Sequence, residues 1–298
     1  GGDLMQYYGI CPASCGELIQ GQIESGEYLS SYCVSLYSKA IITEQTSSNT
    51  RLTTYPKSIM AMKKTFEFFN EEKALKNLSL EMVSNIPRSK GMASSTADIG
   101  AVIGASCAYL GINITPDDAS KIAAKIEPTD SIYYKSLVAM NPLNGNLIKN
   151  IGNIRGLKSL ILEPRAKIKT KDVRNKLGYS EFKKSNILKY NEILGDFESA
   201  IKSNNLKELG KAVNKSSLLN EHLLPKPYLK EVMDIAMSLG AYGVNIAHSG
   251  SVVGILLDIN DSSANYKSEL INNNLAKYFG RMYCLPVIDG GINYGRMS

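Results

Sequence analysis

Apolar positions along this chain change period several times, and the changes mark out its elements. Residues 28–37 and 39–45 are rich in β-branched and aromatic side chains, as strands are. Ile59, Met62, Phe66 and Phe69 fall at helical spacing within residues 58–72. Residues 78–83 read as a strand that delivers the chain into Pro87-Arg-Ser-Lys-Gly-Met-Ala-Ser-Ser-Thr-Ala-Asp98. Beyond that loop, Ile99, Val102, Ile103, Cys107 and Leu110 trace a helix with one buried face, for which Ser94 or Ser95 is the expected N-cap. Thr115-Pro-Asp-Asp118 opens a further helix, with a hydroxyl cap, proline in the first turn and acids at the positive end of the dipole. It should run to about residue 126, because Pro128 disfavours helix in the residue before it. A hairpin around Asn141-Pro-Leu-Asn-Gly145 and a strand over residues 157–162 follow.

The second half reads as helices over residues 185–203, 206–219 and 226–239, strands over 244–247 and 252–257, a helix over 263–279 and a strand over 282–288. Helices packed on antiparallel strands in both halves predict an α+β protein. A length of 298 residues suits one large domain or two smaller ones.

Charge and cysteine content narrow the possibilities. The net charge of +6 is matched by residues 165–184 alone, which carry eight basic and two acidic side chains. With only Tyr179 and Phe182 as aromatics, that window reads as a solvated segment that steers anions rather than a nucleic-acid surface. Cys11, Cys15, Cys33, Cys107 and Cys284 form no Cys-x-x-Cys pair, and His222 and His248 are the only histidines. A zinc ribbon, a redox motif and a histidine-built metal site are therefore not expected. No apolar run approaches membrane-span length and no basic-then-apolar leader begins the sequence, so a reduced, cytoplasmic protein is expected.

The loop before the long helix is the strongest chemical signal. A helix N-terminus carries unpaired N–H groups and the positive end of the macrodipole, so a turning, glycine-containing loop that feeds it can hold phosphate. Two further blocks accompany it: Cys11-Pro-Ala-Ser-Cys-Gly-Glu-Leu-Ile-Gln-Gly21 and Gly243-Val-Asn-Ile-Ala-His-Ser-Gly-Ser-Val-Val-Gly254. In this order the three resemble the motifs of the GHMP small-molecule kinases. The second family motif, Pro-x-x-x-Gly-Leu-x-Ser-Ser-[Ala/Ser/Thr]-Ala, is matched at Pro87, Gly91, Ser94, Ser95, Thr96 and Ala97, with Met92 in the leucine place. Within the superfamily, the Cys-Pro-Ala-Ser-Cys-Gly-Glu block, Glu127-Pro-Thr-Asp130 and Ala247-His-Ser-Gly250 most resemble the L-threonine kinases of cobalamin biosynthesis. The resemblance spans residues 9–257.

The resemblance implies a two-lobed fold, a ribosomal-protein-like lobe over residues 1–165 and a ferredoxin-like lobe over 166–298, with the site between them. It implies ATP and Mg²⁺ as cofactors and L-threonine as acceptor, with homoserine as the nearest rival. Pro87, Lys90, Gly91, Met92, Ala93, Ser94, Ser95 and Thr96 would form the ATP-binding loop; Lys90 is either a point charge on phosphate or a solvent-exposed lysine. Ser95 and Glu127 would bind the metal and Asp130 would serve as the general base, although the short spacing leaves the roles of the two acids exchangeable. Glu17, with Ser14 and Cys15 on the same turn, would face the substrate, as would His248 and Ser249 in a third motif that has lost most of the usual glycines. His248 can equally be a structural hydrogen-bonding residue, and Cys11 a small buried one.

Overall fold

The computed structural model describes residues 4–45, 55–165, 173–248 and 250–297. Two long strands, β1 (Gln6–Ile23) and β2 (Gly26–Glu44), form an antiparallel ribbon paired from Gln6↔Thr43 to Ile23↔Gly26. β2 runs without interruption through both segments expected as separate strands. The helix α1 (Pro56–Phe68) ends earlier than its apolar spacing suggests, and a 3₁₀ turn over Glu72–Leu75 takes the chain to β3 (Leu78–Ser84), which pairs with β2. The loop then feeds α2 (Ser94–Leu110).

Helix α2 differs from the one-sided helix the pattern suggested: every residue from 96 to 107 is buried. Its small side chains explain how. A Cβ on Gly9 of β1 would stand 2.0 Å from the Ala101 carbonyl oxygen, so strand and helix backbones nearly touch. A Cβ on Gly100 would meet Tyr133 and Cys11, and one on Gly104 would meet Ile292. Gly111 closes α2 in the left-handed conformation, as helix C-terminal glycines do.

The Thr115 hydroxyl caps α3 (Pro116–Ala124) by accepting from the Asp118 N–H. Tighter turns at Lys125 and Ile126 then end the helix shortly before Pro128. The expected hairpin is present as β4 (Leu137–Met140) and β5 (Leu147–Gly152), with β4 on β2, and β6 (Leu157–Pro164) follows. The helical region divides into α4 (Tyr179–Ser185), α5 (Ile187–Lys202), α6 (Leu206–Glu221) and α7 (Leu229–Ser238). After β7 (Gly243–Ile246) and β8 (Val253–Asp258), α8 (Ala264–Asn272) is shorter than expected and a 3₁₀ turn at Leu275–Lys277 leads into β9 (Phe279–Ile288). A last strand, β10 (Asn293–Arg296), pairs with β1.

Strand order is β10-β1-β2-β9-β6-β8-β7, antiparallel throughout, so the α+β expectation holds. β9 joins the two regions: it pairs with β6 along most of its length and meets β2 at Cys33↔Ile288 and Val34↔Val287. The main core lies between β1–β2, α2, α5 and α6, and a second cluster fills the space between β6–β9, α7 and α8. Part of the basic window, residues 166–172, lies outside the described residues. No described helix is long and apolar enough to cross a membrane. Gly9→Ala should lower stability by ~2 kcal/mol or more, because backbone rather than a flexible side chain fills the space; chemical denaturation monitored by circular dichroism measures this.

Candidate active site

The three motifs converge through close backbone contacts. Motif one lies within β1, not on a turn; β-bulges at Pro12/Ala13, Ser14/Glu17 and Glu17/Ile19 break its register with β2. At one of them Gly16 has φ +73°, and a Cβ there would stand 2.7 Å from the Ala247 Cα of motif three. Asn245 of β7 donates to the Cys15 carbonyl at 2.7 Å and accepts from the Tyr32 hydroxyl at 2.8 Å. Gly250 approaches the phosphate-loop candidate so closely that a Cβ would stand 2.2 Å from the Gly91 nitrogen.

These contacts use the loop's carbonyls. The Lys90 carbonyl accepts from the N–H groups of Ser251 and Val252, and the Met92 carbonyl accepts from Ser14 N–H. Ser89, Gly91 and Ala93 all have positive φ. Ala93 is the residue before α2, so neither Ser94 nor Ser95 caps the helix: both are already helical, and no side chain caps its N-terminus. Among the described residues, none of the backbone N–H groups of residues 91–96 donates to a protein acceptor. The same residues border a cavity of about 210 Å³ together with Ser89, Glu127, Pro128, Asp130 and Gly250. A concave set of unspent N–H groups at the positive end of a long helix suits a polyanion.

Ser95 donates its hydroxyl to Glu127 Oε1, and Lys57 of α1 pairs with Glu127 Oε2. Thr96 donates to Asp130 Oδ2 at 3.0 Å. A second cavity, about 380 Å³, shares Glu127, Pro128 and Asp130 with the first and adds Glu17, Leu29, Lys57, Thr129, Pro142, Arg174 and His248. The two acids of Glu127-Pro-Thr-Asp130 thus border both cavities.

Glu17 is buried and accepts from the His248 N–H at 2.7 Å. Burial and the adjacent Asp130 carboxylate hold its pKa well above the usual carboxylate range. Burial also raises Asp130, while hydrogen bonds from Glu17 and Thr96 favour its ionised form. The two neighbouring buried carboxyls therefore resist ionising together. Burial, then nearby Arg174, Lys183 and Lys226, keeps the pKa of His248 well below its ordinary value. Its Nε2 lies 3.1 Å from the Tyr179 hydroxyl. Burial also lowers both Lys183 and Lys226 to about 8.

The other expected site residues divide between cavity and scaffold. Gly91, Met92, Ala93, Ser94, Ser95 and Thr96 line the first cavity; Pro87 and Lys90 do not. Lys90 is neither a solvent-exposed side chain nor a cavity-lining charge: it is buried and donates to the Pro164 carbonyl at 2.6 Å. Ser14 is buried, and its Oγ accepts from the Gly16 N–H at 3.2 Å. Cys15 is buried away from both cavities, its thiol pushed up to about 11 chiefly by burial. Ser249 lies outside the described residues. Lys57 and Arg174, which pairs with Glu27 at 3.1 Å, line the second cavity without having stood out in the sequence. Lys57 belongs to no motif; Arg174 was visible only as part of a basic window.

Residues 59–133 match the family described as GHMP kinases N terminal domain, and residues 197–277 match GHMP kinases C terminal. An L-threonine kinase of Citrobacter freundii is 32% identical over 95% of this chain and 97% of that protein. An L-threonine kinase of Salmonella typhimurium is 30% identical over 95% and 93%. A homoserine kinase of Lactococcus lactis is 24% identical over 72% of each chain. Among solved structures, the mevalonate kinase of Methanococcus jannaschii superposes with a TM-score of 0.69 at 19% identity, covering 97% of this chain and 99% of that one. The mevalonate diphosphate decarboxylase of Staphylococcus aureus gives 0.70 at 15%, covering 98% of each. Full-length similarity above 30%, both domain matches and the convergence of the three motifs make this chain a member of the GHMP kinase family.

Proposed function

We propose that this chain is a cytoplasmic, ATP- and Mg²⁺-dependent kinase that phosphorylates the side-chain hydroxyl of L-threonine, giving O-phospho-L-threonine and ADP for cobalamin biosynthesis. The observation that carries the reading is the pair of cavities meeting at Glu127 and Asp130, one rimmed by unspent N–H groups and the other lined by charges of both signs. The first suits a triphosphate. The second suits a zwitterion: Glu17 and Asp130 for an ammonium or hydroxyl group, Lys57 and Arg174 for a carboxylate. Leu29 and Pro142 add an apolar wall of the kind a β-methyl group would use.

Ser95 and Glu127 are in contact at the edge of the first cavity and fit a magnesium ion, a hard cation satisfied by oxygen ligands. No described cluster of three or more His, Cys, Asp or Glu side chains has metal-binding spacing, so such an ion would draw its other oxygens from phosphate and water. When bound, magnesium neutralises phosphate charge. A structural neighbour solved with AMPPCP and magnesium, with a TM-score of 0.69, is consistent with that cofactor set.

Phosphoryl transfer depends mainly on positioning and charge neutralisation. The N–H groups of residues 91–96 and the α2 dipole would hold the phosphates. Asp130, fixed by Thr96 and Glu17, would orient the acceptor hydroxyl and take its proton. Glu17 would keep its proton, leaving Asp130 as the base. In sequence, the L-threonine kinase relatives are more similar and match over 95% of this chain against 72% for a homoserine kinase, which supports threonine over homoserine.

ADP release from Mg²⁺-ATP with L-threonine, L-homoserine, L-serine and mevalonate in parallel tests the reading. A strong preference for L-threonine is expected; preference for homoserine would move the acceptor assignment, and silence with all four would overturn it. Asp130→Ala should lower turnover at least about tenfold while nucleotide still binds, and unchanged turnover would remove Asp130 from the base role. The raised Glu17 pKa also has a stability consequence. Native Glu17 holds its proton to higher pH than in the unfolded chain, so stability present below the unfolded pKa is lost as pH rises through the native one. Glu17→Gln should therefore raise Tm at pH 8 and change it little at pH 4, even as turnover falls; a Tm difference that shrinks with rising pH would contradict the assignment.

A further inference from the structure

Lys90 belongs to the phosphate loop in sequence but not to its cavity. The residue is 7% exposed, and Nζ donates to the Pro164 carbonyl at 2.6 Å with Glu163 Oε1 at 3.7 Å. Both partners sit at the end of β6. Glu163 is itself buried and is met from β9 by Arg281 Nη1 at 3.6 Å and the Tyr283 hydroxyl at 3.4 Å. Tyr283 also reaches back to Met92 Sδ at 3.4 Å. The backbone of the same lysine is held from another side, its carbonyl accepting from Ser251 and Val252 at 2.9 and 3.0 Å. Lys90 is thus fastened by its side chain to β6 and by its main chain to the turn after β7.

A buried ammonium is costly unless paired, and here a carbonyl and a carboxylate offset the cost. Moving it into the cavity to reach a phosphate would leave Glu163 without its buried cation, facing only the more exposed Arg281. Resting on the reading that this loop holds phosphate, we propose that Lys90 is a positioning residue. Its buried ammonium pins the loop to β6 so that the N–H groups of residues 91–96 stay turned into the cavity, and it takes no phosphate itself.

The test measures calorimetric affinity of the full chain for Mg²⁺ with β,γ-methylene ATP and for ADP, together with KM for ATP and for acceptor. The variants are Lys90→Met, Lys90→Arg, Glu163→Gln and Lys90→Met with Glu163→Gln. A pin predicts that Lys90→Met weakens both nucleotides alike, about tenfold, and raises KM for ATP while KM for acceptor holds. Lys90→Arg should recover part of the loss. Glu163→Gln should weaken binding in the same direction, and the double variant should be no weaker than Lys90→Met alone.

A loss confined to the ATP analogue, with Glu163→Gln neutral or tighter, would make Lys90 a phosphate ligand and overturn the proposal. A lowered Tm with nucleotide affinity intact would reduce it to a general stabiliser and overturn it as well. If Lys90→Met does not fold, Glu163→Gln decides: weaker nucleotide binding supports the pin and unchanged binding refutes it. Failure of the wild-type chain to bind either nucleotide would instead overturn the functional reading beneath the proposal.

Discussion

The site depends on where the loop's carbonyls go. Each peptide unit in a turning loop carries a donor and an acceptor, and a phosphate cradle needs the donors free. Here the Lys90 and Met92 carbonyls are taken by N–H groups from motifs three and one, leaving residues 91–96 with unspent donors at the head of α2. Such hydrogen bonding requires three backbones to come within contact distance. Gly16 against Ala247 and Gly250 against Gly91 permit it, because any side chain at either glycine would collide with main chain. The three motifs, distant in sequence, therefore form one physical object.

The same economy appears at the acids. Glu127 divides its two oxygens between Ser95 and Lys57, and Asp130 receives Thr96 and lies beside the buried Glu17 carboxyl. One short turn after α3 thus places one carboxylate against the hydroxyl of a prospective metal site and the other against a second buried acid. Two buried carboxyls that repel one another are expensive to ionise, a cost met more often at functional sites than in a core built for stability alone.

How much of this was legible depends on the element. β2, β3, α2, α3 and the β4–β5 hairpin follow from periodicity and turn residues. β1 did not, because residues 11–21 are buried throughout, with contacts to α2, α5, α6 and β7, so no alternation betrays it. β10 is too short and half-exposed to leave a pattern. At the site, the loop was readable from its composition, but the fate of Lys90 was not: its partners on β6 lie more than seventy positions away. Lys57 and Arg174 entered the second cavity by tertiary placement alone, and the proline-broken spacing of Glu127 and Asp130 disclosed the acids without fixing their duties.

The measurement that bears most directly on this account is a crystal structure of the chain with Mg²⁺, β,γ-methylene ATP and L-threonine. Phosphate oxygens on the N–H groups of residues 91–96, with the threonine hydroxyl beside Asp130 in the cavity lined by Glu17 and Arg174, is the result the account predicts. A triphosphate bound away from the head of α2, or threonine bound outside that cavity, would contradict it.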